Sequence, residues 1–158
     1  MNDASLPLVS CTSCGLPYPS EGAPFRCECG GVYDFSHFPG YADPETLTKP
    51  GIWRYHSSLG LTKDAPEISL GEGDTPLLPG EFNGYNVYFK LENQNPTGSY
   101  KDRGSAVLVS FLRSRQVTSV VEDSSGNAGA SLAAYCARAG IQVQLFIPES
   151  ASGPKRWQ

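Results

Sequence analysis

Apolar and polar positions change rhythm near residue 85, and the regular half of the chain follows that point. Asn86 to Leu91 (NVYFKL) has the β-branched and aromatic content of a strand. A helical pattern runs from about Tyr100 to Arg115, where Val107/Phe111 and Leu108/Leu112 form apolar pairs four residues apart. Val117 to Glu122 predicts a second strand, and Ala128 to Ala139 a second helix with Gly140 as its C-cap. Gln142 to Ile147 predicts a third strand, after which residues 150–158 begin another element that the chain does not close, so the sequence reads as cut off. Strand, helix, strand, helix, strand with short connections predicts parallel pairing and right-handed crossovers. Such sheets bind ligands beyond the carboxyl ends of their strands. Both unusual polar loops, Asn93–Lys101 and Asp123–Asn127, are expected at that end.

The first half is less regular. Residues 1–38 are short, polar and rich in Cys and Gly. Residues 39–85 carry turn signals at Asp43-Pro44, Lys49-Pro50-Gly51, Asp74-Thr75-Pro76 and Asn83-Gly84, with few apolar runs long enough for a helix. They predict an extended arm lying over the rest, and Trp53-Arg54-Tyr55 reads as the arm packing onto the sheet. The 17 glycines and 13 prolines cluster before residue 100, in keeping with this division.

Composition narrows the function classes. A net charge of -4 and a pI near 5.1 give no electrostatic reason to bind nucleic acid or an anionic membrane. Without a basic surround, the Trp53–Tyr55 aromatics are not a nucleic-acid stacking platform. No apolar run reaches the length of a membrane span, and MNDASLPLVS lacks the features of a signal peptide, so a cytoplasmic location is expected.

The chemistry concentrates in the two polar loops. In the first, Glu92 to Gly104 (ENQNPTGSYKDRG), Pro96 and Gly98 set a turn and Lys101 falls in the first turn of the next helix. The positive helix start, with burial, favours the neutral amine, the form that attacks an aldehyde. Taken alone, such a lysine reads as a solvated side chain beside Asp102. In the second loop, Glu122 to Gly129 (EDSSGNAG), two hydroxyls, a glycine and an amide at a helix start suit a carboxylate or phosphate. Taken alone, it reads as an N-cap by Ser124, Ser125 or Asn127.

Together, NPTGSYKDRG and the later SSGNAG resemble the fold-type II pyridoxal-phosphate enzymes, which include threonine synthase, the serine and threonine dehydratases and cysteine synthase. The likeness is greatest to the threonine synthases, through Lys101-Asp-Arg-Gly104, Ser69 to Leu78 (SLGEGDTPLL) and the Cys-rich start. The resemblance implies an incomplete three-layer parallel sheet of the tryptophan synthase beta-like fold over residues 86–158, preceded by a zinc-ribbon-like segment (1–38) and the arm (39–85). It implies that Lys101 carries pyridoxal 5'-phosphate as an imine and later shuttles protons. Asn127 then hydrogen-bonds the cofactor's ring oxygen, and Ser124, Ser125, Gly126, Asn127 and Ala128 line the pocket for the α-carboxylate of an amino-acid substrate. The implied reaction turns O-phosphohomoserine and water into threonine and phosphate, in a protein that is a homodimer at full length. Many threonine synthases have threonine at the position of Ala128, which here removes one hydroxyl contact. The family's cofactor-phosphate loop and pyridine-nitrogen partner are not found in these residues, so the chain is expected to hold only part of the site. A dehydratase, or a non-catalytic zinc-ribbon and α/β scaffold, are the competing readings.

Cys11-Thr-Ser-Cys14-Gly15 and Cys27-Glu-Cys29-Gly30 form two knuckles, each followed by glycine, that predict a closed structural zinc site of four thiolates. So small a unit has almost no core, and metal supplies much of its folding energy. His37 and His56 read as ordinary surface or packed residues, Cys136 as a small buried hydrophobe, and Arg103 as one side of a structural ion pair.

Overall fold

Two residues with positive φ, Asn83 at 50° and Gly84 at 79°, decide the path of the chain between its irregular and regular halves. The computed structural model describes residues 9–41, 48–124 and 126–157. It begins with β1 (Val9–Cys11) paired antiparallel with β2 (Tyr33–Phe35) around the two cysteine turns. A 3-10 segment, Gly51–Ser58, then precedes β3 (Leu77–Phe82) and β4 (Tyr85–Lys90). The stretch expected to be an extended arm thus contains helical turns and a strand. With φ positive at both central residues, Asn83-Gly84 makes the two-residue turn whose twist suits a tight hairpin. β3 and β4 accordingly pair antiparallel, from Leu77↔Lys90 to Phe82↔Tyr85.

That pairing corrects one expectation. The strand at 86–91 was expected to start a parallel sheet; its partner is the segment just before it, because the turn closes the ladder locally. The helix α1 (Lys101–Ser114), β5 (Ser119–Glu122), α2 (Asn127–Ala139) and β6 (Gln142–Leu145) follow the predicted order, ahead of the short α3 (Gly153–Trp157). β5 and β6 are parallel, Ser119↔Gln142 to Glu122↔Leu145, and form a two-stranded sheet among the described residues. Gly140 ends α2 in the left-handed region with φ 69°, where glycine has no Cβ penalty.

The buried residues of α1 are Asp102, Ser105, Ala106, Val109 and Ser110. Of the apolar pairs, Val107 and Leu112 pack half-buried against the core, while Leu108 is 46% exposed. Small side chains let α1 approach α2 closely, and the polar ones are satisfied by hydrogen bonds rather than by water. Ala106 and Val109 meet Leu132, Tyr135, Cys136 and Ile141 in one core that also takes Ile52 and Trp53. Trp53 therefore joins a core built largely by the two helices. Burying a side chain of the Val or Ile class stabilises by about 1.5–3 kcal/mol.

Two glycines let the 3-10 segment lie against the residue 69–75 loop. A Cβ on Gly51, which has φ 60°, would sit 2.1 Å from the Glu72 carbonyl oxygen. One on Gly73 would sit 2.8 Å from the Gly51 Cα. The cysteine module docks on the far end of α1, where Arg115 stacks 5.8 Å from the Tyr18 ring and 5.2 Å from the Phe111 ring. The same guanidinium donates to the Pro19 and Ser20 carbonyls. No helix among the described residues is long and apolar enough to cross a membrane.

Candidate active site

Lys101 is the first residue of α1, and the loop before it is held by its own polar side chains. Gly98 takes φ 83°, and the buried Ser99 hydroxyl accepts the Lys101 N–H at 3.3 Å. The Lys101 side chain is half-buried, with Nζ 5.2 Å from the centre of the Tyr100 ring. It forms no ion pair with a described carboxylate. Its sequence neighbour, Asp102, is fully buried and turned inward. Its carboxylate accepts from Thr97 N at 2.7 Å, Thr97 Oγ1 at 2.5 Å and Ser131 Oγ at 2.6 Å. Ser131 Oγ also lies 2.8 Å from Ser105 Oγ.

These bonds place the starts of α1 and α2 side by side. Asp102 is the second residue of α1 and Ser131 the fifth of α2, so the loop before Lys101 and the loop before Asn127 open at the same end. The Asp123–Gly126 loop leaves the carboxyl end of β5, as the parallel topology requires. Gly126, with φ -160° and ψ -143°, is the N-cap of α2. Gly129 is buried, and a Cβ there would lie 2.8 Å from the Ser124 carbonyl oxygen; the loop folds tightly over the first helical turn. Ser124, Gly126 and Ala128 are half-buried and Asn127 is exposed. Ser125 lies outside the described residues.

Behind this end runs a layer of buried polar groups that the sequence reading passed over. Glu72, 1% exposed, accepts from Tyr135 Oη at 2.6 Å, Leu70 N at 3.0 Å and Ser69 Oγ at 3.1 Å. Burial first, then Glu72, pushes the Tyr135 phenol well above its ordinary range. Arg103 grips Glu92 through two bonds of 2.8 Å and also reaches Thr75 Oγ1 at 3.1 Å. It is the ion pair expected of it, and its hydrogen bonds hold the Glu92 carboxyl down at about 2. Asn95, buried, accepts from Gly73 N at 3.1 Å and donates to the Glu92 carbonyl at 2.8 Å. The available signal for these residues was the polar SLGEGDTP stretch and a serine four positions after Asn127. Neither identifies its partner.

The four knuckle cysteines converge at the other end of α1. Their sulfurs all lie within 4.8 Å of one another, with Cys11–Cys29 and Cys14–Cys27 both at 3.6 Å. Zinc–thiolate bonds near 2.3 Å in a tetrahedron require sulfurs about 3.8 Å apart, so the set fits such an ion, and 3.6 Å is too long for a disulfide. Gly15 at φ 73° and Gly30 at φ 85° make the turns. Backbone N–H groups face the sulfurs: that of Cys14 leads in drawing Cys11 down to about 6, and that of Cys29 leads in lowering Cys27. At Cys14 the Leu16 N–H acts the same way, but the Cys29 thiol, burial and the other cysteines outweigh it and push Cys14 up to about 12. Four crowded thiols resist ionising together without a cation to share. His37 is exposed, His56 is half-buried beside Trp53, and Cys136 is fully buried.

A family model described as pyridoxal-phosphate dependent enzyme matches residues 68–158. The threonine synthase of Methanocaldococcus jannaschii is 39% identical over 153 residues, which cover 90% of this chain and 38% of that protein. The threonine synthase of Halalkalibacterium halodurans is 41% identical over 102 residues, 62% of this chain and 29% of that one. The solved O-acetylserine dependent cystathionine beta-synthase of Helicobacter pylori is 28% identical over 54% of this chain and 31% of its own, with a TM-score of 0.47. The chain spans less than two fifths of the length of the curated relatives named here.

Proposed function

The chain belongs to the pyridoxal-phosphate-dependent enzymes, and from that premise we propose that it carries the lysine side of the active site of a threonine synthase-type lyase. The reaction is conversion of O-phosphohomoserine and water to threonine and phosphate. One observation carries the reading: the Lys101 loop and the Ser124–Ala128 loop open side by side, joined by Asp102 and Ser131. The similarity to threonine synthases favours this reaction over a dehydratase. We assign residues 1–38 to a zinc-ribbon-like segment, 39–85 to a covering arm and 86–158 to part of the catalytic α/β fold.

The residues present fit the cofactor at its aldehyde end. Lys101 offers a half-buried amine outside any described ion pair, at the start of α1 and beside the start of α2. Pyridoxal phosphate, when bound, supplies the electron sink that makes substrate carbon acids easy to deprotonate. Lys101 Nζ holds the cofactor and moves protons at the substrate's carbons. Asn127 steadies the ring oxygen. Hydroxyls and backbone N–H groups of Ser124, Ser125, Gly126 and Ala128 hold the α-carboxylate and fix the orientation of the bond to be broken. Cys11, Cys14, Cys27 and Cys29 hold a structural zinc ion that takes no part in the reaction.

Borohydride reduction with pyridoxal phosphate, followed by peptide mapping, is expected to label Lys101, and Lys101→Ala to abolish that label. In the full-length protein, threonine and phosphate release from O-phosphohomoserine separates this activity from a dehydratase, which yields ammonia and 2-oxobutanoate from threonine. Label distributed over other lysines, with Lys101 untouched, overturns the proposal.

A further inference from the structure

Beyond its two loops, the site has a built support whose geometry points at their relative placement. Ser131 lies four residues after Asn127, one helical turn below it on the same face of α2. Asp102 directly follows Lys101. The Asp102–Ser131 bond of 2.6 Å therefore joins the turn that carries Lys101 to the turn beneath Asn127. Both residues are fully buried, so water does not compete for the contact. The same carboxylate takes the N–H and hydroxyl of Thr97, which ties the loop before Lys101 to the pair as well. Ser105, one turn further along α1, closes the set through Ser131.

We propose that Asp102 and Ser131 are positioning residues: together they set the register between α1 and α2, and so the spacing at which Lys101 and Asn127 meet the cofactor from two sides. This rests on the proposed function. A carboxylate on α1 bonded both to the preceding loop and to α2 resists sliding of one helix along the other, which an apolar contact of small residues such as Ala106 does not. The Asp102 and Ser131 side chains are both fully buried between the helices and bonded to each other. Their effect is read in how rigidly the cofactor is held once attached.

The test uses the visible circular dichroism that a cofactor acquires when its ring is clamped in a chiral site. Pyridoxal phosphate is added to the wild type, Ser131→Ala, Asp102→Asn and Ser110→Ala, and its attachment at Lys101 is quantified by borohydride trapping. Ser110 is an equally buried α1 serine whose hydroxyl accepts Ile68 N at 2.9 Å, away from the pair, and serves as the structural control. The expected result is attachment at Lys101 in all four, with induced ellipticity per attached cofactor at least halved in Ser131→Ala and unchanged in Ser110→Ala. If Asp102→Asn fails to fold, Ser131→Ala alone decides. Wild-type ellipticity in Ser131→Ala, or an equal loss in Ser110→Ala, overturns the positioning role while leaving the proposed function intact. Absence of trapping at Lys101 in the wild type overturns the functional reading, and this inference with it.

Discussion

Tyr135→Phe removes one oxygen from the core and no carbon, so it isolates the bond between Tyr135 Oη and Glu72. The two side chains are 0% and 1% exposed and the bond is 2.6 Å long. Phe fills nearly the same volume, and the cavity contribution that accompanies most core truncations is small here. What is lost is a hydrogen bond to a buried acidic side chain, of a type worth about 1.5–3 kcal/mol. In a chain of this size that corresponds to a fall in Tm of about 3–12 °C. Glu72→Gln keeps the shape and leaves one oxygen for Tyr135 while its amide faces Ser69, so it is expected to destabilise less. A double-mutant cycle over Tyr135→Phe and Glu72→Ala, each of which removes the bond, measured by urea unfolding, should return a coupling of about 1–2 kcal/mol. A coupling within about 0.3 kcal/mol of zero, the usual result for independent sites, would refute the view that this pair clamps the residue 69–75 loop to α2.

Acid should weaken the Glu92–Arg103 pair. The folded Glu92 carboxyl titrates at about 2, below the ordinary 4.5, so its contribution is complete above pH 4.5 and disappears as pH falls toward 2. After discounting for solvent screening of this partly exposed pair, Arg103→Met is expected to lower stability at pH 7 by about 1–2 kcal/mol. The difference from wild type should narrow between pH 4.5 and 2, and a difference that stays constant over that window contradicts the assignment. The cysteine module should bind one zinc per chain, with removal by chelator loosening residues 9–35 while the α1/α2 core keeps its hydrogen-exchange protection. Cys14→Ser should weaken binding roughly 100-fold or more, given that structural zinc contributes on the order of 10 kcal/mol. Substoichiometric zinc in the wild type would count against a closed four-thiolate site.

Much of the fold after residue 85 was legible because its signals are local. Turn glycines, helical spacing and β-branched runs mark α1, β5, α2 and β6 within a residue or two of their observed bounds. The turn at Asn83-Gly84 was legible too, but not the hairpin it closes, because the strand before it lies in a Pro- and Gly-broken stretch that masks its periodicity. The loops around Lys101 and Asn127 could be singled out by residue type alone, and so could the paired cysteines.

Partnership was settled only in three dimensions. Glu72 and Tyr135 are 63 positions apart, and Asp102 and Ser131 are 29 apart. Periodicity describes which way a side chain faces, not what it meets, and nothing in the local pattern marks Asp102 as a buried residue. Once α1 packed against α2 through small residues, the polar groups between them had to pair with one another, since a buried carboxylate without donors is among the most unfavourable states a core can contain. Sequence determined the local elements and the chemically distinctive loops; tertiary packing decided which of them stand together, because hydrogen-bond satisfaction in a core is a property of the assembled whole.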